Sequence, residues 1–115
     1  LRRCNIIDVI DGDTLDVTVD LGFCLQYKVR IRLLGIDTPE LHSKVSIEKE
    51  AALKAKDFTK EWVALGSKSE WSFFIRTEKS ASFGRNLAYI YDSNGSCLNN
   101  ALLLNGHAKV YDRKI

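Results

Sequence analysis

A mainly β fold with helices, an α+β five-stranded barrel forming one domain over residues 1–115, is predicted by three features of this sequence. Five short stretches are apolar or alternate apolar with polar residues at a period of two. Between the third and the fourth lies a longer stretch with the three-and-four spacing of an amphipathic helix. A chain of 115 residues, 45% of them hydrophobic, fills one core and leaves no room for a second.

Asn5 to Ile10 is a short apolar run, and Asp11-Gly12 after it is a strong tight-turn signal. From Thr14 to Leu21 the residues Leu15, Val17, Val19 and Leu21 alternate with Thr14, Asp16, Thr18 and Asp20, so the first two strands make a hairpin. A second turn at Gly22 leads into the third strand. There Tyr27, Val29, Ile31 and Leu33 form an apolar face, and Lys28, Arg30 and Arg32 put cations on the other. This strand is expected to run to Asp37-Thr38-Pro39-Glu40 and stop, because proline lacks an N–H and biases Thr38 towards an extended conformation.

A polar loop over 41–46 precedes the helix, expected over 47–65, whose Ala51, Ala55, Phe58, Trp62 and Leu65 share one face. Ser46 is the expected N-cap, Glu48 and Glu50 suit the positive helix start, and Gly66 fits the stop. Lys49, Lys54, Lys56 and Lys60 read as its solvated side. Trp71, Phe73 and Ile75 alternate with Glu70, Ser72 and Phe74 as a fourth strand, followed by a polar loop over 77–82. Asn86 to Tyr91 is the fifth strand, closed by the turn Asp92-Ser93-Asn94-Gly95, and a short helix over about 99–105 ends at Gly106. Five strands with a helix after strand 3 and a short helix near the C-terminus suit a small closed barrel of the OB type.

Composition narrows the function only a little. Seventeen basic against fifteen acidic residues give a charge of +2, which permits contact with phosphates without announcing it. Cys4, Cys24 and Cys97 are widely spaced, with no Cys-x-x-Cys pair and no His at zinc-ligand spacing, which argues against a structural zinc site; their odd number argues against a disulfide-built fold. No apolar run approaches the ~20 residues of a membrane span. The sequence has no methionine and starts Leu1-Arg2-Arg3, as a chain does after an upstream segment is removed, so its start does not give a compartment; a secreted or cell-envelope location fits such processing.

The chemistry concentrates in two acidic turns, Asp11-Gly12-Asp13-Thr14 and Asp37-Thr38-Pro39-Glu40. Either alone is weak, since most Asp-Gly-Asp tripeptides are turns. If they meet, Asp13, Asp37 and Glu40 converge with Arg32 a few residues up the same strand. Three carboxylates within ~4 Å repel by a few kcal/mol per pair and need a cation. Oxygen-only ligands favour a hard ion, calcium or magnesium. Arg32 alone would read as the exposed face of a strand. In Gly84-Arg85 the glycine allows an unusual backbone turn that aims Arg85, although a loop arginine is by default solvated. Two arginines beside a carboxylate-bound cation are what phosphoryl transfer requires. His42 is either a general base or a surface histidine, and Tyr89, Tyr91 and Tyr111 either stack on a base or border the barrel; His107 is given no chemistry.

Asp-Gly-Asp-Thr at 11–14, Arg-Leu-Leu-Gly-Ile-Asp-Thr-Pro-Glu at 32–40, Phe-Thr-Lys at 58–60, Gly-Arg-Asn-Leu-Ala-Tyr-Ile-Tyr at 84–91 and Gly-His-Ala-Lys-Val at 106–110 together resemble the staphylococcal nuclease (thermonuclease) family, in the family's order and over nearly the whole chain. The resemblance implies an OB-fold, calcium-dependent endonuclease that hydrolyses phosphodiester bonds of single-stranded or frayed DNA and RNA to leave 3′-phosphates. It implies Asp13 and Asp37 as calcium carboxylates, with the main-chain carbonyl of Thr38 joining them. Glu40 corresponds to the residue that orients or deprotonates the attacking water, and Arg32 and Arg85 to the phosphate-binding arginines. Ser82 and Phe83 depart from the Lys-Tyr of the family prototype, and Tyr111 stands near its pair of nucleotide-facing tyrosines. The prototype also carries a third helix beyond the point where this sequence ends. A monomer without membrane contact is expected. The rival from another class is a non-catalytic nucleic-acid-binding or scaffold module of the same fold, typically one with these acidic and arginine positions replaced.

Overall fold

The structure is a computed structural model, and it describes residues 1–40, 44–78 and 86–110. Along these residues the chain forms β1 (Arg2–Asp11), β2 (Thr14–Gly22), β3 (Leu25–Leu33), β4 (Ile36–Asp37), α1 (Ser46–Gly66), β5 (Phe73–Glu78), β6 (Asn86–Tyr91), α2 (Leu98–Leu104) and β7 (Lys109–Val110). Strands β1, β2, β3, β6 and β5 close a barrel in that order, the five-stranded barrel with helices that the alternation predicts. Its pairings are antiparallel except β3 with β6, and Arg2–Cys4 of β1 close it against Phe73–Ile75 of β5.

The inward set of each strand makes the core. Leu15 and Val17 of β2, Ile31 and Leu33 of β3, Phe73 and Ile75 of β5 and Ala88 and Ile90 of β6 are buried, and α2 adds Leu98 and Leu102. Each large aliphatic or aromatic side chain so placed contributes roughly 1.5–3 kcal/mol, which ties the period of two to one register. Cys4 is buried in the same core, which pushes its thiol up to about 12 and keeps it protonated. All three cysteines are free.

Several boundaries move where tertiary partners decide them. The first strand is longer at both ends than Asn5–Ile10, because Arg2–Cys4 find a partner in β5. The fourth barrel strand starts at Phe73 rather than near Trp71, which sits at φ 62° with its N–H donating to Asn5 Oδ1 at 2.6 Å. It then runs through Thr77, expected to be loop, because Arg76, Thr77 and Glu78 face Tyr89, Ala88 and Leu87. The third strand breaks before Asp37. Gly35, at φ 80°, turns the chain in the left-handed region glycine tolerates, and Ile36–Asp37 pair with Lys109–Val110 in a small second sheet.

Helix α1 spans the predicted stretch, and on its expected face Ala55 is buried and Phe58 and Trp62 pack against the core, but Leu65 is exposed and the fully buried positions also include Ala52 and Thr59. Its N-cap is Val45, with no side-chain hydrogen bond, and not Ser46. Small residues line the part of α1 that meets the β1–β2 turn, where a Cβ on Gly12 would already come within 2.9 Å of the Ala55 Cβ.

Asn99 of α2 carries no signal in sequence patterning and is fully buried. Its Nδ2 donates to the carbonyls of Leu34 at 2.8 Å and Ala88 at 3.2 Å, and its Oδ1 accepts from the Ile90 N–H at 3.3 Å. It therefore clamps the break between β3 and β4 onto β6. Asn99→Ala leaves those buried groups unsatisfied and is expected to cost about 2–4 kcal/mol, read as a lower denaturation midpoint at unchanged slope.

Candidate active site

The β1–β2 turn is locked from two sides. Leu33 N–H of β3 donates to the Asp13 carbonyl at 2.8 Å, and the buried Thr59 hydroxyl of α1 donates to the Gly12 carbonyl at 2.8 Å. A Cβ on Gly12 would lie 2.9 Å from the Ala55 Cβ and 3.2 Å from the Ala55 carbonyl carbon. Gly12 is therefore required for the close approach of helix and turn, whereas the tight-turn signal suggested a purely local role. Thr59, in the Phe-Thr-Lys motif, is a positioning residue that patterning missed; Phe58 beside it packs on His107 with ring centroids 4.8 Å apart.

Held this way, the Asp13 side chain is almost fully buried. Its Oδ1 accepts from the Thr14 hydroxyl at 3.2 Å and its Oδ2 from the Thr38 N–H at 3.3 Å. The two acidic turns thus meet, and the buried Thr38 is the link. Arg32 joins them further: one guanidinium nitrogen, Nη2, lies 3.0 Å from Asp37 Oδ1 and 3.6 Å from Asp13 Oδ2, and also donates to the Ile36 carbonyl at 3.4 Å. Only the β3–β4 break makes this reach possible, because it folds Asp37 back towards Arg32 five positions earlier. Arg32 is half-buried at the meeting of two carboxylates and is not the open strand face that its local pattern suggests.

Arg30, two residues away on the same face, is taken by Asp16. The pair is bidentate, at 2.8 and 3.2 Å, and the hydrogen bond from Arg30 holds the Asp16 carboxyl below the usual carboxylate range. Asp13, Asp37 and Glu40 line one cleft of about 470 Å³ together with Asp11, Arg32 and Asn86. On the other flank, Lys109 stands opposite Asp37 in the β4–β7 register, a second cation at the acidic turn whose signal was the Gly-His-Ala-Lys-Val motif. Arg85, His42, Ser82, Phe83 and Tyr111 lie outside the described residues.

Among the described residues, no three His, Cys, Asp or Glu side chains gather as a metal-ligating group. The convergence is a pair of carboxylates, Asp13 and Asp37, with Glu40 along the same cleft. Two carboxylate oxygens and the Ile36 carbonyl lie around the Arg32 Nη2; oxygen donors with no His or Cys among them are the kind that suits a hard divalent ion.

A model of the staphylococcal nuclease homologue family matches residues 30–115, a span that takes in Arg32, Asp37 and Glu40. The chain belongs to that family. That family is nuclease-like in kind. It is 33% identical over 126 residues to an uncharacterized protein of Methanocaldococcus jannaschii, an overlap covering 92% of this chain and 58% of the relative. It is 32% identical over 96 residues to an uncharacterized lipoprotein of Mycoplasma genitalium, covering 79% of this chain and 35% of the relative. The chain therefore spans less than two thirds of the length of either. Among its described residues no helix is long and apolar enough to cross a membrane.

Proposed function

We propose that this nuclease homologue is a calcium-dependent endonuclease that hydrolyses phosphodiester bonds in single-stranded or frayed DNA and RNA and leaves 3′-phosphates. The observation that carries the reading is Arg32, fixed by Asp37, Asp13 and the Ile36 carbonyl inside a cleft that Glu40 also lines. A guanidinium anchored by three oxygens has little reorganisation left to do when a phosphate arrives, which favours stabilising developing charge over merely attracting an anion.

Asp13 and Asp37, with the Thr38 main-chain carbonyl, are the groups that would hold calcium, which when bound supplies charge neutralisation at the phosphate. Glu40 takes a proton from the water whose oxygen attacks phosphorus. The bond from phosphorus to the 5′-oxygen breaks, the 5′-alkoxide is protonated from solvent, and the phosphate stays on the 3′-oxygen. Arg32 bears on the phosphate oxygens as charge grows there, the role the resemblance gives Arg85 as well.

Cleavage of labelled single-stranded DNA and of RNA is expected with calcium and is expected to stop in excess chelator, with magnesium binding but not supporting turnover. Full activity in chelator, or none at any calcium level in a folded sample, overturns the reading. Tight binding without cleavage by such a sample would leave the non-catalytic nucleic-acid-binding module.

A further inference from the structure

A second cavity, of about 320 Å³, lies on the barrel next to the catalytic cleft and has no part in the chemistry above. The two share Ile31 and Asn86, so they adjoin at β3 and the start of β6. Its composition is unlike that of the cleft. Leu21, Tyr27 and Val29 give it an apolar wall, and Arg2 and Arg76 line it from β1 and β5; among the described residues that line it there is no carboxylate, and Glu78 stands 3.9 Å from Arg76 at its edge. Tyr27 and Leu21 stay exposed although the alternation of β2 and β3 marks them as inward residues. The hairpin carries its apolar stripe past the barrel edge, where no described element covers it.

An aromatic ring on an aliphatic wall with two guanidinium groups fits the alternation of flat bases and anionic phosphates in a single strand. Arg76 is also pre-set, its guanidinium carbon 4.5 Å from the centroid of the Tyr89 ring; this tyrosine therefore orients an arginine at the barrel surface. We propose that this cavity is an additional nucleotide subsite, taking the base and phosphate of a nucleotide beyond the one at the catalytic cleft, with the base on Tyr27 and the phosphate at Arg76 and Arg2. The subsite takes from the nuclease reading only the position of the scissile phosphate, so the active centre selects strands long enough to fill both cavities.

The test measures equilibrium binding of fluorescent single-stranded oligonucleotides of two and of eight nucleotides in excess chelator, beside cleavage with calcium. Wild type is expected to bind the octamer more tightly than the dinucleotide. Tyr27→Ala and Arg76→Ala are each expected to lose about tenfold in octamer affinity and most of the length dependence, with melting temperatures near wild type, because both side chains are exposed. Lys54→Ala, exposed on α1, serves as the charge control and is expected to bind as wild type. Octamer binding unchanged in both variants, or no gain in affinity with length in wild type, overturns the subsite whether or not the protein cleaves. Length-dependent binding lost in the variants, in a protein that never cleaves, upholds the subsite and overturns only the catalytic reading.

Discussion

Glu40→Gln is expected to lower single-turnover cleavage by about 10²- to 10⁴-fold while leaving affinity for a single strand within a few-fold of wild type. Glutamine keeps the size and one acceptor oxygen of the side chain and removes the group that takes the proton. Glu40 is exposed, and among the described residues its side chain holds no part of the turn by a hydrogen bond, so folding should be untouched. One negative charge fewer in a cleft that receives phosphate favours binding slightly and weakens calcium modestly. Asp13→Asn and Asp37→Asn should behave differently. At Asp13 an amide would bring donors to a position that already receives the Thr14 hydroxyl and the Thr38 N–H. At Asp37 it would remove the nearer charge from Arg32. Both variants should lose calcium first, so excess calcium should restore them better than it restores Glu40→Gln. A calcium titration of single-turnover rates decides this, and wild-type rates in Glu40→Gln would remove Glu40 from the mechanism.

Arg32→Ala should cost about 10²- to 10³-fold in cleavage, the usual loss when one preorganised donor to a developing oxyanion is deleted. Alanine also leaves Asp13 and Asp37 without the guanidinium between them, so part of any loss could come from a rearranged turn. Arg32→Lys separates the two effects. It retains the charge between the carboxylates but not the planar fork, and should still lose most of the rate. Arg85→Ala should lose a comparable amount. Lys28→Ala is the contrast: Lys28 is exposed near the outer end of β3, beside Thr18, and its loss should change cleavage by no more than a small salt-dependent factor. Equal small losses in all these variants would make the arginines a basic surface and nothing more.

Local pattern was enough wherever one residue's neighbours along the chain define its environment. The alternation at Leu15-Val17-Val19 and at Ile31-Leu33 identified strands and their inward faces, because burying one side of a pleated strand admits a single register. The turn at Asp92–Gly95 was readable for the same reason: the Asp92 carboxylate accepts the Asn94 and Ser96 N–H groups within its own loop. The two acidic turns were also visible as candidates, since short runs of acids, glycine and proline punctuate a chain in a recognisable way.

What pattern missed depends on partners far away in sequence. That Gly12 is needed to admit Ala55, that Thr59 holds the Gly12 carbonyl and that Asn99 clamps the β3–β4 break are relations between residues eleven to sixty-five positions apart, and no periodicity encodes them. Arg30 and Arg32 show the limit most directly. They are the same residue type on the same face of one strand, and by pattern they are equivalent. Residue pattern alone specifies a five-stranded barrel, the two acidic turns and the strand that carries the arginines. It takes the folded chain to bind Arg30 to Asp16 on the neighbouring strand, while the turn at Gly35 folds Asp37 back onto Arg32 beside the nearly buried Asp13. The physical reason is that a guanidinium's role is set by which carboxylates lie within about 4 Å of it, and that distance is a property of the closed barrel and not of the strand.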